Sequence, residues 1–219
     1  MPENLQHHPE EFWMGLSASE WSRKELHNAF DKYINKDDVG IVVDIGANYG
    51  FSTRMFAMYF EPDAIYAFDP GQRQAQVFAE VTAKVSKETP IMFKMVGIYY
   101  GANSAGLLAS PDGNRGGDSI EEAGTEHMGY TEREVTQVVN LRTLEDELPE
   151  HPDFVKIDVE GSEYNIIMNS QILQTVKYLL IEWHDSDIDL PEFCADYLPN
   201  HEIVWQDSRG STLHVRKDP

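Results

Sequence analysis

Positive charge is what this chain has least of. Against 38 Asp and Glu it carries only 17 Lys and Arg, a formal charge of −21 at pH 7. Gripping nucleic acid through its phosphates takes the opposite balance, so no nucleic-acid partner is expected. The surplus of acid reads as a solubilising surface, one that would also draw cationic ligands. Cysteine is nearly absent: Cys194 stands alone, which excludes an intrachain disulfide and a cysteine-built zinc cluster. It falls in an amphipathic pattern, where a lone thiol behaves as a small apolar residue. No run approaches the ~18 consecutive apolar residues of a membrane span. The start, Met1-Pro2-Glu3-Asn4, has neither a basic leader nor an apolar run, so a cytoplasmic protein without a signal peptide is expected. Internal repeats and low-complexity segments are also missing.

What is present fits one α/β unit: 219 residues suffice for a single full core. Its centre is Ile41-Val42-Val43-Asp44-Ile45-Gly46-Ala47-Asn48-Tyr49-Gly50. The β-branched run reads as a strand buried on both faces, broken by a glycine turn, with a helical pattern from Phe51 through Met55, Phe56 and Tyr59. Strand, glycine turn and helix start open a nucleotide-binding α/β unit. Gly46 would admit the ligand to the backbone, Gly50 would let helix and strand pack closely, and the helix start would offer N–H groups. Neither Gly-x-Gly-x-x-Gly nor Gly-x-x-x-x-Gly-Lys-Ser/Thr occurs, which argues against a dinucleotide or a nucleoside triphosphate. An acid, Asp44, stands just before the turn instead. It would repel phosphate and welcome a cation, and S-adenosylmethionine carries both a sulfonium and an ammonium.

The same ending recurs. Ala64 to Phe68 reads as a second strand ending at Asp69, 25 residues after Asp44, near the interval at which such folds place an acid on ribose hydroxyls. Pro70-Gly71 then leads into a helix from Gln72 to about Ser86. Pro90 to Tyr100 reads as a third strand, and Ser110 to Gly129 as an irregular, mobile loop or lid containing Arg115 and Ser119. Glu134 to Leu141 is a further strand, followed by a short helix or turn over Thr143 to Leu148. Phe154 to Val159 is a strand ending among acids, with Ser162 placed to cap the next helix. Val176 to Asp185 is another, and Glu202–Gln206 with Thr212–Arg216 a closing hairpin after a helix over Leu190 to Leu198. The alternation predicts a mostly parallel sheet of about seven strands with an antiparallel edge and helices on both faces. Residues 1–38 read as an N-terminal helical cap and 39–219 as the cofactor-binding domain. Open sheets of this kind bind ligands at the carboxyl ends of their strands, where Asp44, Asp69, Asp158 and Glu160 all fall.

Taken together, Asp44-Ile45-Gly46-Ala47-Asn48-Tyr49-Gly50, Ala67-Phe68-Asp69-Pro70, Lys156-Ile157-Asp158-Val159-Glu160-Gly161-Ser162-Glu163 and Ile181-Glu182-Trp183-His184 resemble the FkbM family of S-adenosylmethionine-dependent methyltransferases. Asn114-Arg115-Gly116-Gly117-Asp118-Ser119-Ile120 and Leu141-Arg142-Thr143-Leu144 add weaker support. The family usually carries glutamate where Asp69 stands, a longer reach toward the ribose. The resemblance implies a Rossmann-like class I methyltransferase sheet, S-adenosylmethionine as cofactor and methyl transfer to a hydroxyl of a sugar, lipid or secondary metabolite. N-methylation of an amine or peptide, or a cofactor-binding module without turnover, are the competing expectations. Asp44, Gly46, Ala47, Asn48, Gly50, Asp69 and Asp158 are the expected cofactor contacts. Arg115, Ser119 and Glu182 are expected on the acceptor side, for a small-molecule acceptor. An alcohol ionises poorly unaided, so a base is expected beside it: His184 first, its reference pKa near ~6.5 suiting neutral pH, with Asp158 and Glu160 as alternatives. Asp158, Glu160, Glu182 and His184 are also possible Mg²⁺ ligands, but nothing in their spacing requires a metal and none is assigned.

Overall fold

Val42 and Val43 are both wholly buried, although neighbours on a strand point to opposite faces, so the strand they share is covered on both sides. A computed structural model of the chain describes residues 20–109, 118–120, 134–184, 188–208 and 210–217. In chain order these form α1 (Glu20–Tyr33), β1 (Ile41–Ile45), α2 (Phe51–Phe60), β2 (Ala64–Phe68), α3 (Gln72–Thr82), β3 (Ile91–Lys94), β4 (Gly97–Ile98), β5 (Ser104–Leu108), β6 (Ser119–Ile120) and β7 (Val135–Arg142). They continue with α4 (Leu144–Glu147), β8 (Phe154–Ile157), α5 (Glu163–Asn169), β9 (Tyr178–Glu182), α6 (Leu190–Tyr197), β10 (His201–Gln206) and β11 (Ser211–Arg216).

The central sheet has seven strands in the order β10-β11-β9-β8-β1-β2-β3. β9, β8, β1, β2 and β3 run parallel, and the β10–β11 hairpin adds antiparallel to β9. This is the mostly parallel sheet with an antiparallel edge that the strand and helix alternation predicts. One face carries Val42, Ile65, Phe154 and Leu180 under Phe30 of α1 and Met55, Phe56 and Phe60 of α2. The other carries Val43, Ile45, Val155, Ile157 and Ile181 under α5 and α6, with Cys194 in that core as its amphipathic position implied. Phe30 meets the rings of Tyr59, Phe60 and Phe154 at 5.4 to 5.8 Å, so the described part of the N-terminal segment covers the sheet. Residues 1–19 of the expected cap lie outside the described residues. Among the described residues no helix is long and apolar enough to cross a membrane.

Two expectations fail here. Pro90 to Tyr100 is not one strand. It breaks at exposed Met95, where Val96 N–H donates back to Lys94 O, leaving β3 in the central sheet and sending β4 to a second sheet. That sheet, ordered β4-β7-β5-β6, was not foreseen. β7 was read as a strand, but β5, Ser104-Ala105-Gly106-Leu107-Leu108, has the weak β-propensity of Ala and Gly. It forms because Ala105, Leu107, Ile120, Val139 and Leu141 make a small core of their own.

The chain leaves β1 toward β2 and β3, then returns on the other side to β8 and β9. Ligands sit at such a reversal, outside the carboxyl ends of the strands. Here that is the space beyond Ile45 and Ile157.

Candidate active site

The floor of this space is the turn after β1. Gly46 has φ 77°, and a Cβ on it would come within 1.7 Å of the Asp158 carbonyl oxygen, so glycine is required by the neighbouring strand rather than by a ligand. The turn's N–H groups are spent internally as well. Gly46 and Ala47 both donate to Phe68 O (2.9 and 3.0 Å), and Asn48 N–H donates to Asp69 Oδ2 (2.9 Å). Ala47 packs with Ala67 and Phe78. Gly50, φ 87°, starts α2 and leaves room for the Phe78 ring of α3, so it serves helix-to-helix contact more than helix-to-strand contact. Phe51, expected on the apolar face of α2, is 40% exposed.

Asp44 does not reach the cleft. It is 0% exposed, accepts from Ser52 Oγ (2.7 Å) and Thr53 Oγ1 (2.6 Å), and lies 3.4 Å from Lys156 Nζ. The expected cofactor contact is thus a buried strut already supplied with a cation, because an unpaired buried carboxylate would be too costly. Lys156 also donates to Gly46 O (2.8 Å) and pairs with Asp158 Oδ2 (3.1 Å), tying β8 to the turn. Burial alone would lower its pKa, but the charges of Asp158 and Asp44 raise it, so it stays an ammonium.

One wall of the cleft is built around Asp69. Its Oδ1 accepts from Gly71 N–H and its Oδ2 from Asn48 N–H, both at 2.9 Å, leaving lone pairs on each oxygen. Burial pushes its carboxyl up to about 6 against the pull of those two bonds. Val96, Ile98, Leu107 and Ile120 make the apolar lining, and Ser119 and Asp118 lie in the same wall, Asp118 accepting from Gln74 Nε2 (3.2 Å). Ser119 was expected on the acceptor side; it is β-paired to Leu108 beside this apolar wall. The cleft measures about 620 Å³ with the solvent space at its mouth included.

The opposite rim is the β8–α5 connection with the end of β9. Glu160 (φ 55°) and Gly161 (φ 109°) are both left-handed, which folds the connection back sharply. Glu163, wholly buried, holds that fold: its carboxylate accepts from Val159 N–H (3.0 Å) and Gly161 N–H (3.0 Å), and meets His184 Nδ1 at 2.9 Å. Ser162 occupies the position before α5 as expected, yet its side chain makes no capping bond. Its Oγ is buried without a hydrogen-bond partner in a residue that lines the cleft.

His184 Nε2 lies 3.5 Å from Glu160 Oε2 and 3.9 Å from Asp158 Oδ1. With carboxylates on both ring nitrogens the imidazole is a cation. Burial would lower its pKa, but the bond to Glu163 and the charges of Glu163, Glu160 and Asp158 carry it up to about 10. The resting ring therefore holds a proton at neutral pH, which corrects the expectation of a free base near its ordinary value. Burial pushes the Glu160 carboxyl up to about 7, with His184 pulling the other way. One donor atom each from Asp158, Glu160 and His184 fall within 4.8 Å of one another. Glu182 ends β9 opposite Ser211, and its charge is felt by Lys156 and Glu160 although it does not line the cleft. Arg115 lies outside the described residues.

Sequence reasoning missed Glu163 and the part played by Lys156. Lys156 left a signal, a charge inside the apolar strand Phe154-Val155-Lys156-Ile157, all of it buried. Glu163 left none beyond its place in the acid-rich segment.

The sequence profile of the methyltransferase FkbM domain matches residues 44–206. No curated protein matches the chain in sequence. Among solved structures, a precorrin-6y C5,15-methyltransferase from Geobacter metallireducens is similar with a TM-score of 0.51 at 13% identity, over 90% of this chain and 89% of that one. A ribosomal protein L11 methylase from Lactobacillus delbrueckii subsp. bulgaricus gives 0.50 at 10% identity, over 90% and 78%. At such identities the likeness shows the Rossmann-like fold. The StiE O-MT fragment of residues 961–1257 is 12% identical with a TM-score of 0.42, over 74% of this chain but only 43% of that one.

Proposed function

The chain belongs to the FkbM methyltransferase family, and from that premise we propose that it methylates a hydroxyl group of a small molecule placed between the Asp158–Glu160–His184 rim and the cofactor. Its cofactor is S-adenosylmethionine, as the family implies. When bound, this cofactor supplies a methyl group on a sulfonium, whose sulfur leaves as a neutral thioether.

The residues present fit such a ligand. The cleft sets apolar side chains beside a few polar groups, the composition of a small-molecule site. Asp69 would accept from the ribose hydroxyls with the lone pairs its two N–H donors leave. Val96 and Ile98 would flank the purine, and the unpartnered Ser162 Oγ offers a polar contact in the same cleft.

The observation that carries the reading is that Asp158 and Glu160 line the same cleft as Asp69, with His184 Nε2 set 3.5 Å from Glu160 Oε2. Alignment is the chain's main contribution, and well-oriented reactants gain roughly 7–11 kcal/mol from it. The acceptor proton then needs somewhere to go. His184 already carries one, so Glu160 receives it, with the imidazolium beside it and Glu163 fixing the ring from behind. A positioned base of this kind is worth about 10²–10⁴-fold. The formal charge of −21 favours a neutral or cationic small acceptor over a polyanion. An amine acceptor is the competing reading, favoured by the same charge.

Calorimetry with S-adenosylmethionine, followed by acceptor profiling with labelled methyl donor, tests the assignment. Binding in the wild type, weakened in Asp69→Ala, and label on oxygen support it. Absence of binding, or label only on nitrogen, overturns the respective part.

A further inference from the structure

We propose that Asp158, Glu160 and His184 form a site for a divalent cation of the Mn²⁺ type, and that the acceptor hydroxyl completes it. The proposal rests on the methyltransferase reading and adds a metal to it.

Geometry comes first. His184 Nε2 stands 3.5 Å from Glu160 Oε2 and 3.9 Å from Asp158 Oδ1. Adjacent ligands around an ion with bonds of ~2.1 Å lie about 3 Å apart, and one donor atom from each of the three residues lies within 4.8 Å of the others, so a modest closure draws them onto one centre.

The second observation is how the ring is held. Wholly buried Glu163 faces His184 Nδ1 at 2.9 Å and is itself pinned by the N–H groups of Val159 and Gly161. A carboxylate behind a histidine fixes the tautomer whose other nitrogen faces a metal, and metal-binding histidines nearly always have such a partner. Nε2 faces two carboxylates, and a metal cation bound there would take the place of the ring's own proton, released to solvent. Lys156 does not relieve the crowding at Glu160, because its ammonium is committed to Gly46 O, Asp44 and Asp158. Among the described residues, the imidazole is the one cationic group paired with Glu160.

The third observation is independent of these charges. Ser162, 3% exposed and lining the same cleft two residues from Glu160, keeps a buried Oγ with no hydrogen-bond partner. A buried hydroxyl is normally satisfied, so this one marks the cleft beside Glu160 as a place for a ligand's polar atom.

Two carboxylate oxygens outweigh one imidazole nitrogen, and carboxylate-rich sets suit Mg²⁺, Ca²⁺ and Mn²⁺, of which Mn²⁺ most readily adds a nitrogen ligand. Three protein ligands leave positions open for substrate. With the cation in place Glu160 becomes a ligand and no longer the proton acceptor. The acceptor O–H bond breaks with its proton passing to solvent. The oxygen's electron pair forms the bond to the methyl carbon, and the carbon–sulfur bond breaks with both electrons remaining on sulfur.

The test uses the full chain, stripped with EDTA and titrated with MnCl₂ while free Mn²⁺ is followed by electron paramagnetic resonance. The wild type should take up one tight equivalent. Glu163→Gln should loosen it roughly 10–100-fold, as loss of a supporting carboxylate does, and Glu160→Gln and Asp158→Asn by more. Calorimetry with S-adenosylmethionine on the same stripped samples reports whether each variant is folded. Cofactor binding without Mn²⁺ uptake sinks the metal alone, and so does uptake equally tight in Glu160→Gln, which would mark adventitious binding to an acidic surface. Loss of cofactor binding in the wild type sinks the methyltransferase reading itself.

Discussion

His184 and His214 stand at two levels of the same sheet edge, the first just past the end of β9 and the second on β11 opposite Leu179. Both are withdrawn from water, yet they are held in opposite charge states. Burial pushes both down. At His184 three carboxylates overturn that and raise it to about 10. At His214, 1% exposed, nothing opposes burial and nearby His201 adds to it, so the ring falls to about 3. The hydrogen bonds agree. Trp183 Nε1–H donates to Thr212 Oγ1 (2.7 Å), which also bonds His214 Nε2 at 2.8 Å, an arrangement a neutral ring can complete. Trp183 directly precedes His184 in the chain, so two residues in sequence mark the border between a charged site and a neutral core. Burial sets the cost of charge, and the partners decide whether it is met.

The strongest way to break this contrast is at the rim. Glu160→Gln should lower methyl transfer about 10²–10⁴-fold while calorimetry shows the cofactor still bound; unchanged turnover would remove Glu160 from the chemistry.

The next test lies at the other histidine. A histidine with its folded value below its unfolded value stabilises at neutral pH and loses that contribution as pH falls. For His214 the loss begins near ~6.5, its unfolded value, and continues to about 3. Urea denaturation at descending pH should show a decline on the order of a few kcal/mol, flattened in His214→Gln. An equally steep decline in that variant would assign the acid sensitivity elsewhere.

A direct reading comes from imidazole nitrogen NMR on EDTA-stripped protein. His184 should remain charged at pH 8 and His214 neutral at pH 5. In Glu163→Gln the His184 transition should move back toward its ordinary value, since the largest of the raising contributions is gone. No movement would mean that Glu163 merely holds the loop.

Asp69 is the intermediate case, buried but supplied mainly with amide donors, and its effect should be the smallest. Its carboxyl sits at about 6, above its ordinary value. Its ionised form therefore opposes folding, an effect that begins above the unfolded value near ~3.9 and is complete above the folded one. The carboxylate needed for two ribose hydroxyls is present only above about 6. Cofactor affinity should thus weaken below that pH by at most about tenfold per unit, and the dependence should vanish in Asp69→Asn.

Much of the scaffold could be read directly. Ile41 to Ile45 and Phe154 to Ile157 are apolar runs too short for helices and too continuous for half-exposed strands, which leaves little but buried parallel strands. The acids that end them mark the carboxyl edge, and Asp69, Asp158 and Glu160 do line one cleft. Asp44 looked equivalent in sequence but is sealed beneath the turn, because a strand's last residues alternate between faces and Ser52, Thr53 and Lys156 fill its side. The small second sheet escaped notice because β5 is specified by contacts with β7 and β6 rather than by its own residues.

Sequence alone determined where the strands of the central sheet lie, which way they run and that acids gather at one edge, since these follow from local periodicity and the rules of parallel connection. Only the tertiary structure decided what charge each of those acids and histidines carries. Charge in a buried group is set by partners distant in sequence, and Glu163 behind His184, or Lys156 beneath Gly46, becomes a partner only once the chain has folded.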